Sequence, residues 1–447
     1  MLNRREFLAG AAAMAAPAAR KPNIVFILAD DLGYGDVGCF GSKLIQTPNI
    51  DRLAAEGMKF NEAYAGAVVC APSRSCLMTG QHTGHTRIRE NHSGRTGKRV
   101  PLLPEDFTVA QMLKQAGYAT GIFGKWGLGE PDTPGIPTKK GFDHWFGFLN
   151  QDHAVDYYTD YLWRNEAKEV LKGNLNGGRK EYAQDLFTRE ALNFIGEHRK
   201  QPFFLYLPYT TPHADLMVPS QEPYANRDWP EDFRIYAAMV TRMDRDIGRI
   251  MAALKQAGLD RDTLVFFTSD NGAGYKQGRK FFNSTGPFRE AKGSVYEGGI
   301  HVPMVARWPG RIQPGAVSDL PWAFWDFMPT AAELAGVTPP ANIDGISIAP
   351  TLFGQPQKGH EYLYWEANGK AQGFAQAIRM GNWKGVRFGL AGPLELYDLS
   401  TDPGEAKDVA ARHPEIVARM TEALRTARTD SDEYPVEKAK RKAKAHS

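Results

Sequence analysis

The feature that most constrains this chain is a recurring order: a short, almost wholly apolar run, then a polar or charged group, then a segment with helical period. The runs Asn23–Ala29, Ala119–Phe123, Phe203–Leu207, Leu264–Thr268 and Val302–Ala306 are too continuous for half-exposed strands and read as strands buried on both faces. Between them, Ile235, Met239, Met243, Ile247, Ile250 and Leu254 recur every three or four residues as one apolar stripe that stops at Gly258. A second helix begins near Thr108 and ends at Gly117, with Val109, Met112 and Leu113 inward. Such alternation predicts an α/β fold, a large mostly parallel sheet sandwiched by helices.

In that architecture, ligand-binding groups collect at the carboxyl ends of the strands. Asp30-Asp31 follows the first run, Lys125 the second, His213 the third after a short Pro-containing turn, and Asp270-Asn271 the fourth. Any one of these is an ordinary turn residue; together they place two acidic pairs, a lysine and a histidine around one crevice. From Pro350 the pattern changes. Short segments at 375–379, 383–388 and 394–399, the last two bearing Trp383 and Tyr397, precede a helix-period run from Pro414 to Thr426, which predicts a smaller C-terminal antiparallel sheet plus a helix. The expected division is a leader at 1–19, a catalytic unit at 20–350, a small α+β unit at 351–430 and a basic tail at 431–447.

Charge excludes one class of partner. The chain of 447 residues carries a formal +3, and the five cations between Lys438 and Lys444 leave −2 on residues 1–437. No nucleic-acid footprint remains once that solvated tail is set aside. The leader places Arg4-Arg5 ahead of an apolar run, Phe7 to Ala19, too short for a stable membrane span. It resembles a twin-arginine export signal cleaved near Ala18 or Ala19, so the expected location is periplasmic or secreted, with the twin-arginine machinery as a partner. Three cysteines, Cys39, Cys70 and Cys76, argue against a disulfide framework in an exported chain.

The stretch Cys70-Ala71-Pro72-Ser73-Arg74-Ser75-Cys76-Leu77-Met78-Thr79-Gly80 carries the most chemistry. A cysteine just before a helix starting near Ser73 sits where free N–H groups and the helix dipole favour an anion, and Arg74 adds a planar fork of donors. That suits a thiolate or a bound oxyanion, although for a lone cysteine a buried structural thiol before an ordinary helix is the preferred reading. The string resembles the Cys-x-Pro-Ser-Arg signature of the type I, formylglycine-dependent sulfatases of the alkaline phosphatase superfamily, across all eleven positions.

The resemblance implies that a maturation enzyme oxidises Cys70 to formylglycine (3-oxoalanine), whose hydrate attacks sulfur and later expels sulfate by collapsing to the aldehyde. It implies a metal held by Asp30, Asp31, Asp270, Asn271 and the modified Cys70, an oxygen-rich set suited to Ca2+, with Mg2+ second. Arg74, Lys125 and Lys292 match the family's cations around formylglycine and sulfate, and His213 matches the histidine that protonates the leaving alcohol with the second lysine. Relatives often read Gly-Lys-Trp-His-Leu-Gly; this chain has Gly127 in place of that histidine, which assists the second step. His82, His85 or His153 could substitute, and His153 is the expected one. His301 stands where relatives often carry Arg and is given no catalytic role. The aromatic and polar stretch 152–164 suits sugar rings as well as it suits a packed loop. The expected activity is hydrolysis of a sulfate monoester, on a sulfated small molecule or, by preference, a glycan. A phosphonate or phosphodiester hydrolase, or a non-catalytic binder of sulfated glycans, are the alternatives.

Overall fold

A computed structural model of the chain describes residues 21–369 and 373–436. The leader at 1–19 lies outside the described residues, as does the tail from 437 onward.

The strands in chain order are β1 (Asn23–Ala29), β2 (Met58–Phe60), β3 (Ala63–Tyr64), β4 (Ala119–Lys125), β5 (His144–Phe148), β6 (Tyr161–Arg164), β7 (Ala167–Val170), β8 (Phe203–Pro208), β9 (Thr263–Ser269), β10 (Met304–Arg307), β11 (Ala316–Ser318), β12 (Trp322–Ala323), β13 (Leu363–Gly369), β14 (Gly373–Met380), β15 (Trp383–Phe388) and β16 (Glu395–Asp398). Ten form one sheet, ordered β11-β2-β10-β9-β1-β8-β4-β5-β6-β7. Its centre, β9-β1-β8-β4-β5, is parallel, while β10 pairs antiparallel with β9, and β6 and β7 extend the other edge antiparallel. The mostly parallel sheet predicted from the apolar runs is present, with antiparallel strands flanking the parallel block.

Strand alternation explains the sandwich. Ile24, Phe26 and Leu28 of β1 face one layer with Leu77, Met112 and Met328 from helices Cys70–Thr79, Val109–Gln115 and Phe327–Ala335. Val25, Ile27 and Ala29 face the opposite layer with Leu53, Phe187, Met243 and Ile247 from helices Pro48–Ala55, Ala183–Glu197 and Glu231–Gln256. Both faces of β1 are therefore fully buried, which is why its sequence shows no polar alternation. Thr108 caps the helix Val109–Gln115 by accepting from Gln111 N, and Gln111 returns the bond to Thr108 N.

The C-terminal sheet, β13-β14-β15-β16, is antiparallel throughout. One face, with Trp365, Ala377 and Val386, packs on Tyr64, Tyr296 and Trp325; the other, with Tyr364, Ile378 and Leu396, takes Met420 and Leu424 of the helix Pro414–Thr426. The smaller sheet capped by a helix is thus as predicted, with β13 as an additional strand.

Candidate active site

Four strands of the parallel block deliver the site from their carboxyl ends. Asp30-Asp31 directly follows β1, Lys125 ends β4, Asp270-Asn271 directly follows β9, and His213 lies five residues past β8. Asp30 N donates to Thr211 O at 3.1 Å and Asp270 N to Ala29 O at 3.0 Å, so adjacent strands stay laced together beyond the sheet proper. Asp31 lies at φ 68°, a left-handed conformation uncommon outside glycine and frequent where a site fixes its backbone.

The cysteine helix differs from the expected one in its start. It begins at Cys70 itself, not near Ser73, and Val69 at its N-cap offers no side-chain acceptor. Capping comes instead from a distant loop, where Asn91 Oδ1 accepts from Ala71 N at 3.1 Å. Cys70 and Arg74 stand one turn apart on the same helix face. From there Arg74, fully buried, reaches Asp270 Oδ2 with Nε at 3.0 Å and Nη2 at 2.8 Å, and Lys125 O with Nη1 at 2.5 Å.

Around the thiol the contacts converge. Cys70 Sγ lies 3.4 Å from Asp30 Oδ1 and 3.6 Å from Lys292 Nζ. Lys125 Nζ sits 2.6 Å from Asp30 Oδ2, Lys292 Nζ 2.6 Å from Asp31 Oδ1, and His213 Nε2 3.7 Å from Asp31 Oδ2. The nine residues matched to the nucleophile, its cations, the proton donor and the metal ligands, Cys70, Arg74, Lys125, His213, Lys292, Asp30, Asp31, Asp270 and Asn271, therefore meet in one connected cluster.

Burial sets the electrostatics. Desolvation alone would raise the Asp30 pKa, but Lys125, His213, Arg74 and Lys292 outweigh it and hold Asp30 well below the usual carboxylate range. Asp270 goes the other way, pushed up to about 6 by burial and by the neighbouring Asp30 charge. Burial and Asp30 likewise push the Cys70 thiol up to about 12, so the unmodified side chain is a poor nucleophile at neutral pH. Burial lowers the His213 pKa against the pull of Asp30, whereas the adjoining Asp31 carboxylate keeps Lys292 charged despite its burial.

A divalent cation fits these donors. Ligand atoms of Asp30, Asp31, Cys70 and His213 lie within 4.8 Å of one another. Asn271 donates Nδ2 to Asp31 Oδ1 at 2.8 Å, which turns its carbonyl Oδ1 into a buried acceptor with no donor among the described residues. An oxygen held without a proton donor, beside two carboxylates, is a ligand atom for a hard cation.

His153 does not join this cluster. Its ring stacks on Tyr161 at 4.3 Å, its Nε2 meets Thr159 Oγ1 at 2.8 Å, and burial lowers its pKa to about 4. His82 and His85 stack on each other beside Asp344, and His301 is held between Glu297 and Asn61 O. The stretch 152–164 is only partly a loop, since Tyr161–Arg164 forms β6. Tyr157 within it is buried, and its single hydroxyl proton is shared between Thr210 O at 2.7 Å and His213 O at 2.9 Å, bracing the His213 turn. Asn91 and Tyr157 carry no local sequence signal for these roles.

Residues 22–337 match the family model described as Sulfatase, and residues 290–430 the one described as N-sulphoglucosamine sulphohydrolase, C-terminal. N-acetylgalactosamine-6-sulfatase of Mus musculus is 34% identical over 422 residues, covering 88% of this chain and 77% of its own. N-acetylgalactosamine-6-O-sulfatase of Bacteroides thetaiotaomicron is 31% identical, with 92% and 94% covered. The crystal structure of Ps i-CgsB in complex with k-i-k-neocarrahexaose superposes with a TM-score of 0.81 at 31% identity, covering 94% of this chain and 96% of that one.

Proposed function

The chain belongs to the formylglycine-dependent sulfatases of the alkaline phosphatase superfamily and is a sulfuric ester hydrolase, and from that premise we propose that it removes sulfate from a carbohydrate, using Cys70 matured to formylglycine beside one divalent cation. The observation that carries this reading is Cys70 Sγ, at the first position of a buried helix, held between Asp30 Oδ1 at 3.4 Å and Lys292 Nζ at 3.6 Å. A carbohydrate substrate is supported by relatives named for N-acetylgalactosamine 6-sulfate and by the oligosaccharide bound to Ps i-CgsB.

When mature, residue 70 would supply an oxygen nucleophile and, through its carbonyl, an exit for sulfate; the cation, held by Asp30, Asp31, Asp270 and Asn271, would supply charge against the sulfate oxygens. The rest falls to the chain's own side chains. Lys125 and Lys292 stabilise the negative charge that a sulfate ester carries through its transition state, where buried cations act most strongly. Arg74 fixes Asp270 and the Lys125 backbone, so the acidic and basic sides keep one geometry. His213 and Lys292 flank Asp31 from the more open side, and they are the groups that deliver a proton to the departing alcohol. The Arg4-Arg5 leader adds an export route, consistent with loading the protein before it crosses the membrane.

The test is to purify the protein from its native host, measure the mass of the Cys70 peptide, and assay an aryl sulfate, a galactosamine 6-sulfate and a phosphodiester at equal concentration. The expected result is an aldehyde at residue 70 and faster turnover of the sulfates. An unmodified cysteine in fully active protein, or faster phosphodiester cleavage, would overturn the reading.

A further inference from the structure

The glycine at position 127 is built into the backbone. Gly127 lies at φ +84°, a conformation that disfavours any L side chain, and a Cβ placed there would come within 2.7 Å of Gln151 Nε2 and 3.9 Å of Arg74 Cδ. The volume that a side chain at 127 would enter is occupied by the amide of Gln151.

Gln151 arrives there through the sheet. β4 and β5 stay paired past their ends, Trp126 N donating to Phe148 O at 2.9 Å and Gly127 N to Leu149 O at 3.0 Å. Gln151 follows on the same run and donates Nε2 to Gly127 O at 3.2 Å. That bond fixes which end of the amide is which, because the reverse orientation would set two carbonyl oxygens against each other. Its Oε1 is left buried without a donor among the described residues, in a residue only 8% exposed. Gln151 thus holds Gly127, and the space on the side-chain side of Gly127 borders Arg74 Cδ, one turn from Cys70 on the nucleophile's helix.

We propose that Gln151 is a positioning residue for the sulfatase reaction, its Oε1 serving as the acceptor that orients the hydroxyl borne on residue 70 after maturation. This rests on the formylglycine reading above. An amide accepts a hydrogen bond but cannot remove a proton, so this position contributes orientation and no ionisation to the pH–rate profile. The orphaned acceptor gains the donor it lacks, and the hydroxyl gains one preferred direction.

The experiment uses mature holoenzyme, with aldehyde content set equal by mass spectrometry of the Cys70 peptide, and compares Gln151→Met with Gln151→Glu. Met has nearly the same length and no acceptor. It should lower kcat on an aryl sulfate roughly fivefold to tenfold, the worth of one neutral hydrogen bond, with KM within about threefold. An aminooxy probe should label residue 70 about fivefold faster in Gln151→Met, because the hydrated form loses its acceptor. Glu keeps an acceptor oxygen but can replace the Nε2 donor to Gly127 O only when protonated, so it should recover most of kcat at acid pH and lose it as the carboxyl ionises, an ionisation that wild type and Gln151→Met lack. Unchanged kcat and labelling in Gln151→Met would overturn the proposal while leaving the formylglycine reading intact. So would equal losses in both variants accompanied by a lower Tm, which marks a merely structural amide. A raised KM confined to the sugar sulfate would overturn it in favour of a substrate hydroxyl as the donor. Absence of an aldehyde in the wild type would remove both readings together.

Discussion

Two buried charge clusters in this molecule are built from the same residue types and end differently. At the carboxyl ends of the parallel strands, Asp30, Asp31 and Asp270 face Arg74, Lys125 and Lys292. Between β15 and the segment after Lys292, Glu297 faces Lys384 Nζ at 2.6 Å and His301 Nδ1 at 2.9 Å, with Glu405 at 3.5 Å from the same lysine. The second cluster is sealed: Lys384, Glu297 and Glu405 are at most 1% exposed, and burial beside Glu297 pushes the Glu405 pKa up to about 7, so a proton offsets what charge is left over. The first cluster is balanced three against three yet stays open, with the Lys292 side chain 22% and His213 18% exposed and Asn271 Oδ1 left without a donor. A doubly charged cation can enter with a sulfate ester, whose negative charge offsets part of it, and the released sulfate dianion offsets the rest. The sealed cluster also keeps one acceptor, Glu405 Oε1, without a hydrogen-bond donor among the described residues, so access from solvent rather than an unmet partner separates buried charge that works on a ligand from buried charge that holds a fold together.

If that distinction holds, substitutions in the two clusters should separate activity from stability. Cys70→Ala should lower turnover of a sulfate ester roughly 10⁴-fold or more while calorimetry finds Tm within a few degrees of wild type. Substantial residual turnover would mean the open cluster does not act through residue 70. Lys384→Met should do the reverse. Removing the ammonium that faces both Glu297 and Glu405 in the interior should cost about 3–5 kcal/mol by denaturant unfolding, with kcat per aldehyde within about twofold of wild type. A selective loss of kcat at full stability would instead make the sealed cluster part of the machinery that sets Lys292.

The open cluster can be divided further by leaving group. His213→Asn should cost roughly 10²-fold in kcat on a sugar sulfate, whose alcohol needs a proton to depart. On nitrophenyl sulfate, whose phenolate leaves without help, the same substitution should cost far less. Equal losses on both substrates would move His213 from proton donor to a support for Asp31.

What the sequence disclosed, and what it hid, follows from the range of the interactions. β1, β8 and β9 are legible because strands buried on both faces must be apolar throughout, and the groups that follow them are legible because a parallel sheet collects its strand ends. The match of Cys70 to Gly80 named the chemistry, but the start of that helix was misplaced because its cap is Asn91, twenty-one residues past Cys70, and Val69 gives no local sign. The same blindness put His153 forward for the role beside Gly127. Two residues decide which side chain turns inward, and it is Gln151 that faces Gly127 while His153 packs on Tyr161 and Phe148. Short peripheral strands such as β2, one in from the edge, and β7, at the edge, have too few residues, or too many exposed ones, to show a period.

A third group of polar side chains places the contrast on a pH axis. His82, His85 and Asp344 have the residue types of a metal site, yet His82 Nδ1 accepts from Gly84 N at 3.2 Å, which leaves its Nε2 carrying the proton and pointing toward Asp344 at 3.7 Å. A neutral ring so placed is closed on itself, like the Glu297 cluster. Burial lowers the His82 pKa to about 4, the nearby Asp344 only partly opposing it. Above pH 6.5 the ring is neutral in folded and unfolded chains alike, and it contributes no pH dependence. As pH falls below 6.5 the unfolded chain takes up a proton that the folded one refuses, so stability is lost progressively down to about pH 4, by about 2–3 kcal/mol in all. His82→Asn should cost stability at every pH through lost packing, but the slope of unfolding free energy between pH 6.5 and 4 should flatten by that amount. A slope identical to wild type would show that another buried group carries the acid limb. A metal-dependent Tm at this cluster that persists in Cys70→Ala would show that it is open in the same sense as the site at Asp30.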